Sequence, residues 1–334
     1  MSTYLAQIAP QRSTQYAALT STLAPHELAL CPLGQPASNV ATVSLAGQAY
    51  LKFDLSSALE ETARRELGTL AMTSAFFDYR QTLEGEIGPW LRPVETDFAP
   101  AFPPDLVMTR RYKGKTNELF THFLCNVARY SSAFANTPWA DLRVLDPLAG
   151  GGTTLFVALV LGANVCGVEK DQGDVESTAT FIEQYAREQG ISCSLKEERL
   201  KKLGHRWWFT LGRQTPSQCV LINGDTAQAL ELMNNVKHPH LIVGDLPYGI
   251  QHEGRLAGLL TTALPVWASL LLPGGAMALA WDSTRLPRAD MIALAQSACS
   301  LTVVDTPPYN QLAHRVDRVI KRRDVLVLFG ENRR

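Results

Sequence analysis

Val144-Leu145-Asp146-Pro147-Leu148-Ala149-Gly150-Gly151-Gly152-Thr153-Thr154 is the run on which the reading of the fold turns. It predicts a buried strand from Arg143 to Asp146, a glycine turn, and a helix that opens at about Thr153. Three consecutive glycines carry no Cβ over the turn, so a ligand can lie directly against the backbone. The turn feeds a helix N-terminus, where unpaired N–H groups favour a carboxylate or phosphate. Asp146 closes its strand at the carboxyl end, the edge at which open α/β sheets bind ligands.

Downstream the pattern of strand then helix repeats. Leu155 to Leu161 is an apolar helix ended by Gly162, and Asn164 to Glu169 is the next strand. Glu169 lies 23 positions after Asp146, a distance that suits a ribose, because one carboxylate accepts from both hydroxyls. Thr178 to Gln189 reads as a helix and Cys219 to Ile222 as the third strand, ending in Asn223-Gly224-Asp225. The fourth, Leu241 to Val243, ends in Gly244-Asp245-Leu246-Pro247-Tyr248-Gly249. A helix from Leu256 to Leu272, a strand from Ala276 to Trp281 and a helix from Ala289 to Cys299 follow, with Leu301 to Asp305 and Val325 to Phe329 as a closing hairpin. Alternation of this kind predicts an α/β, Rossmann-like doubly wound sheet with right-handed crossovers. It also brings Asp146, Glu169, Asp225 and Asp245 to one edge of that sheet.

Two motifs carry a family resemblance. Asp146-Pro-Leu-Ala-Gly-Gly-Gly-Thr153 resembles the cofactor motif of class I S-adenosylmethionine-dependent methyltransferases, in its D-P-x-x-G-x-G-T form. Asp245-Leu-Pro-Tyr-Gly249 resembles their amino-methylating motif, in which an Asp or Asn is followed by two prolines and an aromatic residue; Leu246 stands here where proline is commoner. The longer run to Gly254 is similar to a region of the tRNA guanosine-N2 methyltransferases that carry THUMP domains. The resemblance covers roughly residues 108–330 and implies a seven-stranded methyltransferase sheet with S-adenosylmethionine as cofactor. It places Asp146, Pro147, Gly150, Gly151, Gly152 and Thr153 under the cofactor, Glu169 on its ribose, Asp225 at its adenine amino group and Thr116 at its methionine carboxylate.

The resemblance also implies the chemistry. An aromatic amine is a poor nucleophile because its lone pair is delocalised into the ring. Asp245 and the Leu246 carbonyl can both accept N–H hydrogen bonds, which localises that lone pair and aims it. Pro247 keeps Leu246 extended, and Tyr248 offers a face on which a flipped-out base can stack. The expected activity is methylation of an exocyclic base amine in RNA, guanosine N2 in tRNA above all, with a small activating protein as a partner that some relatives require. DNA adenine N6 or cytosine N4, a protein amide or a small-molecule amine is the alternative acceptor, and a non-catalytic module that binds S-adenosylmethionine or RNA is the third reading.

The rest of the chain frames this site. The 334 residues, 46% hydrophobic and 19% charged, suit about two domains with ample core. A net charge of −1 excludes a global basic field, so a nucleic acid must be held by local patches. The six scattered cysteines form no C-x-x-C pair, which predicts neither a zinc site nor a disulfide framework and suits a reducing cytoplasm. No signal peptide is expected, and the apolar run from Leu259 to Trp281 is broken by Pro265 and Pro273-Gly274-Gly275, so no membrane span is predicted. Residues 1–104 read as a small α+β domain that positions substrate or, in the alternative, scaffolds a homodimer, and 105–334 as the catalytic domain. In the first, Tyr4 to Ile8, Glu27 to Leu33, Val40 to Leu45 and Gln48 to Leu55 read as strands, and Gln15 to Leu23 and Ala58 to about Phe77 as helices. Lys113 and Lys115, then Arg206 and Trp207 within the basic and aromatic stretch Lys196 to Arg213, and finally Arg315 and Arg318 are candidate contacts to a nucleic-acid strand.

Overall fold

A computed structural model describes residues 1–10, 18–112, 114–201, 203–247, 253–316 and 321–330. The chain divides into two compact units, Met1–Ala99 with Thr306–Arg322, and Pro100–Asp305 with Arg323–Arg334. The sequence reading ran residues 105–334 as one domain; the stretch 306–322 groups instead with the first unit.

The first unit is built on β1 (Ser2–Ile8), α1 (Leu19–Leu30), β2 (Ser38–Leu45), β3 (Gln48–Leu55), α2 (Glu61–Gly68), β4 (Thr73–Leu83) and β5 (Glu86–Val94). Its sheet has the order β2-β3-β1-β4-β5, and each neighbouring pair is antiparallel. The β2–β3 turn is Ala46-Gly47, both at positive φ, as a two-residue hairpin requires. Two expectations fail here. Glu27 to Leu33 was expected to be a strand, but α1 runs through to Leu30, and the Glu27 carboxylate accepts from the N–H groups of Ala71 (3.0 Å) and Met72 (2.8 Å). The long helix from Ala58 to Phe77 is instead the short α2 followed by β4, because Phe76 and Phe77 pair across the sheet with Ala6 and Leu5.

In the second unit α3 (Asp105–Thr109) and α4 (Glu118–Tyr130) precede β6 (Arg143–Asp146), α5 (Thr153–Leu161), β7 (Asn164–Glu169) and α6 (Gln172–Glu188). There follow β8 (Cys193–Leu200), β9 (Gly204–Leu211), β10 (Ser217–Asn223), α7 (Ala229–Leu232), β11 (Leu241–Asp245), α8 (Glu253–Leu270), β12 (Ala276–Asp282), α9 (Arg288–Ala298) and β13 (Thr302–Val304). The chain returns to the first unit with β14 (His314–Arg315) and ends with β15 (Arg322–Phe329).

The strand order is β13-β15-β12-β11-β6-β7-β10-β9-β8. From β12 to β10 neighbouring strands are parallel, and the outer pairings are antiparallel. Among the described residues the sheet has ten strands where seven were expected: the basic stretch 193–211 folds as the hairpin β8–β9 and lengthens the edge beyond β10, and the two-residue β14, off this path, is the tenth. The closing hairpin of β13 and β15 is formed as expected. Leu145, Val168, Ile222, Ile242, Leu279 and Leu326 pack with Leu260, Trp267 and Met291 of α8 and α9 in one core. Alternate strand residues such as Val144, Leu221, Val243 and Ala278 are equally buried, and α4 packs on β11, β12 and α5. Burial on both faces is what turns parallel strands into continuous apolar runs. No helix among the described residues is long and apolar enough to cross a membrane.

Candidate active site at the carboxyl edge of the sheet

The glycine turn links β6 to α5. Gly150 (φ 47°) and Gly152 (φ 86°) hold left-handed backbone conformations that favour glycine. The space beside Gly150 is open, whereas a Cβ on Gly151 would collide with the Tyr112 ring. Only part of the bare backbone therefore faces a ligand. Tyr112 shares a hydrogen bond with the Thr153 hydroxyl, and the Arg110 guanidinium donates to the Gly151 carbonyl, to Thr178 Oγ1 (2.5 Å) and to Ser177 Oγ (2.8 Å). The segment ahead of α4 thus clamps the turn. The sequence showed a basic cluster here but no signal that Arg110 and Tyr112 pack on the glycines.

The acids sit at the carboxyl ends of adjacent strands. Asp146 is buried and its Oδ1 accepts from the Leu148 N–H at 3.0 Å. Burial pushes its carboxyl up to about 7, with the charges of Asp245 and Glu169 adding to the rise and the Thr154 and Leu148 hydrogen bonds opposing it. Glu169 accepts from the Gly150 N–H at Oε2 (2.9 Å) and from the Asp171 N–H at Oε1 (2.8 Å), so it braces the glycine turn. Asp225 caps the turn after β10 through Ala227 N–H (3.0 Å), and Lys170 Nζ donates to its Oδ2 at 3.0 Å. The backbone and Lys170 hydrogen bonds hold its carboxyl below the ordinary range.

Asp245 ends β11 beside Asp146. Its Oδ2 accepts from the Thr116 hydroxyl at 2.6 Å and lies 3.6 Å from Arg323 Nη2. Its Oδ1 is buried with no hydrogen-bond partner among the described residues. Burial pushes this carboxyl up, against Arg323 and Thr116, which hold it down. Leu246 is buried and its N–H donates to the Ala280 carbonyl at 2.8 Å, which carries the β11 register one residue past the strand; Pro247 is exposed. Pro147 lies along the Gly244 backbone, so the two motif-bearing strand ends pack together. Tyr248, and the run from Gly249 to His252 behind it, lie outside the described residues, as do Lys113 and Arg318.

The remaining expected contacts fare differently. Thr116, expected at a cofactor carboxylate, is bonded to Asp245. Lys115 Nζ donates to the Val107 carbonyl (2.6 Å) and pairs with Glu118 (2.5 Å), so its charge is already matched. Arg206 is a correction: it is buried, and it donates to the carbonyls of Leu232 (3.1 Å) and Asn234 (2.6 Å) and pairs with Glu198 (2.8 Å). Trp207 is also buried, its ring centroid 3.9 Å from that of His205. Neither is offered to a nucleic-acid strand; among the described residues Lys196, Arg199, Lys201 and Arg213 are the exposed cations of that stretch. Arg315 is exposed in the first unit. Arg323, a residue the sequence analysis did not single out, is the buried partner of Asp245. A separate cavity of about 390 Å³ lies at the amino ends of β6 and β7, beside Arg143, Asn164, Cys166 and Trp208, and holds none of the four acids.

Solved structures similar to this chain include TrmN from Thermus thermophilus, with 15% identity, a TM-score of 0.45 and coverage of 99% of this chain and 100% of that one. The rRNA methyltransferase aviRa from Streptomyces viridochromogenes shows 14% identity and a TM-score of 0.40, over 68% of this chain and 91% of its own. Magnesium protoporphyrin IX methyltransferase from Synechocystis, solved with bound SAM, shows 13% identity and a TM-score of 0.41, over 66% and 87%. No protein-family model and no curated protein matches the chain. At such scores the likenesses decide nothing about this chain, and the functional reading rests on its own motifs and site.

Proposed function

We propose that the protein methylates the exocyclic amine of a nucleobase in RNA, guanosine N2 in tRNA in the sharpest form of the reading, with S-adenosylmethionine as donor. The observation that carries it is the Asp245 carboxylate. It opens an Asp-Leu-Pro-Tyr run beside the glycine turn, with one oxygen held by the protein and the other buried without a protein donor among the described residues. A buried acceptor in that state calls for a donor from elsewhere, and an amine N–H supplies one.

The site suits the cofactor. Gly150 leaves open space that a side chain would fill, and the acids at the strand ends offer acceptors to ribose hydroxyls and counter-charge to a cation. Gly150 to Gly152, Glu169, Asp225 and Asp146 would hold it. When bound, S-adenosylmethionine supplies an electrophilic methyl group and leaves as S-adenosylhomocysteine once the amine nitrogen has bonded to that carbon. Asp245 accepts one amine N–H, raises electron density on the nitrogen and takes the proton that the methylated amine must lose. The Leu246 carbonyl accepts the second N–H and so orients the nitrogen. Residues 1–104 are assigned to positioning the RNA.

The test is transfer of label from radiolabelled S-adenosylmethionine to total tRNA, total DNA and a protein extract, with Asp245→Ala in parallel. The expected result is label in tRNA, recovered as N2-methylguanosine and absent with the variant. Label confined to DNA or protein discards the RNA assignment and keeps the amine chemistry. Cofactor binding with no labelled pool argues against a nucleobase acceptor.

A further inference from the structure

Arg323 is the most buried charge at the site. It is 2% exposed, and its guanidinium carbon lies 4.6 Å from the centre of the Phe120 ring. Arginine does not shed its proton inside a protein, so a buried guanidinium needs a counter-charge and a surface that tolerates it. The Phe120 face meets the second need, since a cation is attracted to the negative face of a ring. Asp245 Oδ2, 3.6 Å from Nη2, meets the first. Thr116, just ahead of α4, donates to that same oxygen. Both protein partners therefore converge on Oδ2, and the described residues place none on Oδ1.

We propose that Arg323 is a positioning residue that, with Thr116, pins Oδ2 of Asp245 and so fixes Oδ1 as the oxygen presented to the acceptor amine. This assignment rests on the amino-methylation reading of the site. A carboxylate free to rotate would exchange its two oxygens and lose the aim on the nitrogen, and alignment of this kind is worth orders of magnitude in rate. The arrangement also sets the charge on Asp245. Burial pushes its proton affinity up, while Arg323 from β15 and Thr116 ahead of α4 hold it down; Asp146 on β6, whose own carboxyl the charge of Asp245 pushes up, is the neighbouring acid, and Asp282 stands opposite Arg323 in the β12–β15 register.

Two measurements on the full chain test the proposal. The first follows Asp245 by carboxyl NMR, its signal assigned by loss in Asp245→Asn, and needs no turnover. Arg323→Met is expected to move its titration to higher pH, and Arg323→Lys by less, because lysine keeps the charge without the planar fork. A titration that stays in place in Arg323→Met overturns the proposal. The second is methyl transfer to total tRNA. Arg323→Met is expected to lower kcat about 10- to 100-fold with KM and cofactor affinity held within about threefold. Joined to Asp245→Asn, it should add no further loss, since it acts through that carboxylate. Independent, multiplying losses overturn the proposal. Full turnover by Asp245→Ala defeats the amino-methylation reading itself, a result distinct from an inert Asp245→Ala beside an unaffected Arg323→Met, which defeats only the role of Arg323. Should Arg323→Met fail to fold, Thr116→Val removes the other half of the clamp and is expected to shift the same titration and the same kcat.

Discussion

Asp146 carries the heaviest electrostatic load of any single residue at the site. Its carboxyl titrates at about 7 in the fold against the ordinary 3.8, because burial disfavours the charged form. In the unfolded chain the proton leaves first, so between about pH 4 and pH 7 the folded protein holds more protons and loses stability as pH rises. Asp146→Asn is expected to flatten that slope and to exceed the wild type in stability above pH 7, by on the order of 4 kcal/mol at most; denaturant titrations from pH 4 to 8 check it. The same carboxylate bears on the cofactor. A sulfonium cation favours ionised Asp146, so preference for S-adenosylmethionine over neutral-sulfur S-adenosylhomocysteine should grow as pH rises through about 7, a trend that calorimetric binding at pH 6 and pH 8 reads directly. Gly151 is the second residue to probe. Gly151→Ala drives a methyl into Tyr112 and is expected to cost about 1–3 kcal/mol, much of it recovered when Tyr112→Ala is added.

At the scale of elements, the hairpin β8–β9 shows how a basic and aromatic stretch becomes structural. Arg206 on β9 reaches the carbonyls that end α7 and the Glu198 carboxylate on β8, so it fastens the added hairpin to the turn after α7. Arg206→Ala leaves buried acceptors unmatched and is expected to cost about 3–5 kcal/mol in chemical denaturation. Lys196 and Arg199 are exposed, and their replacement by alanine should stay within about 0.5 kcal/mol. Should this stretch hold RNA, those replacements would weaken binding and flatten its salt dependence, as would loss of the exposed Lys201 or Arg213. The helices misread in the first unit have a related cause. Ala71 to Phe77 is an uninterrupted small and apolar run, which periodicity alone assigns to helix or strand equally well. Pairing with β1 decided it.

Over the whole molecule, the first unit is completed by residues 306–322, which arrive after the chain has built nearly all of the second. A fragment that stops at residue 99 lacks that return. It is expected to show weaker amide protection in hydrogen exchange than the same residues in the intact chain, with the loss confined to the first unit. The βα alternation was legible over 143–189 and 219–299, where each parallel strand is buried on both faces and the sequence period switches between strand and helix; the hairpin β8–β9 between them was not.

By itself the sequence determined the succession of the parallel strands in the second unit and the four acids at their ends, since a residue that closes a parallel strand lies at the carboxyl edge whatever packs around it. The tertiary structure decided which side chains meet there. Tyr112 on Gly151, Glu169 on the Gly150 N–H, and Arg323 on Asp245 join residues far apart in the chain. Lys, Arg and Tyr near a turn look solvent-facing in a linear reading. Whether such a charge is buried depends on a counter-charge that only folding brings within reach, as Glu198 does for Arg206 and Asp245 does for Arg323.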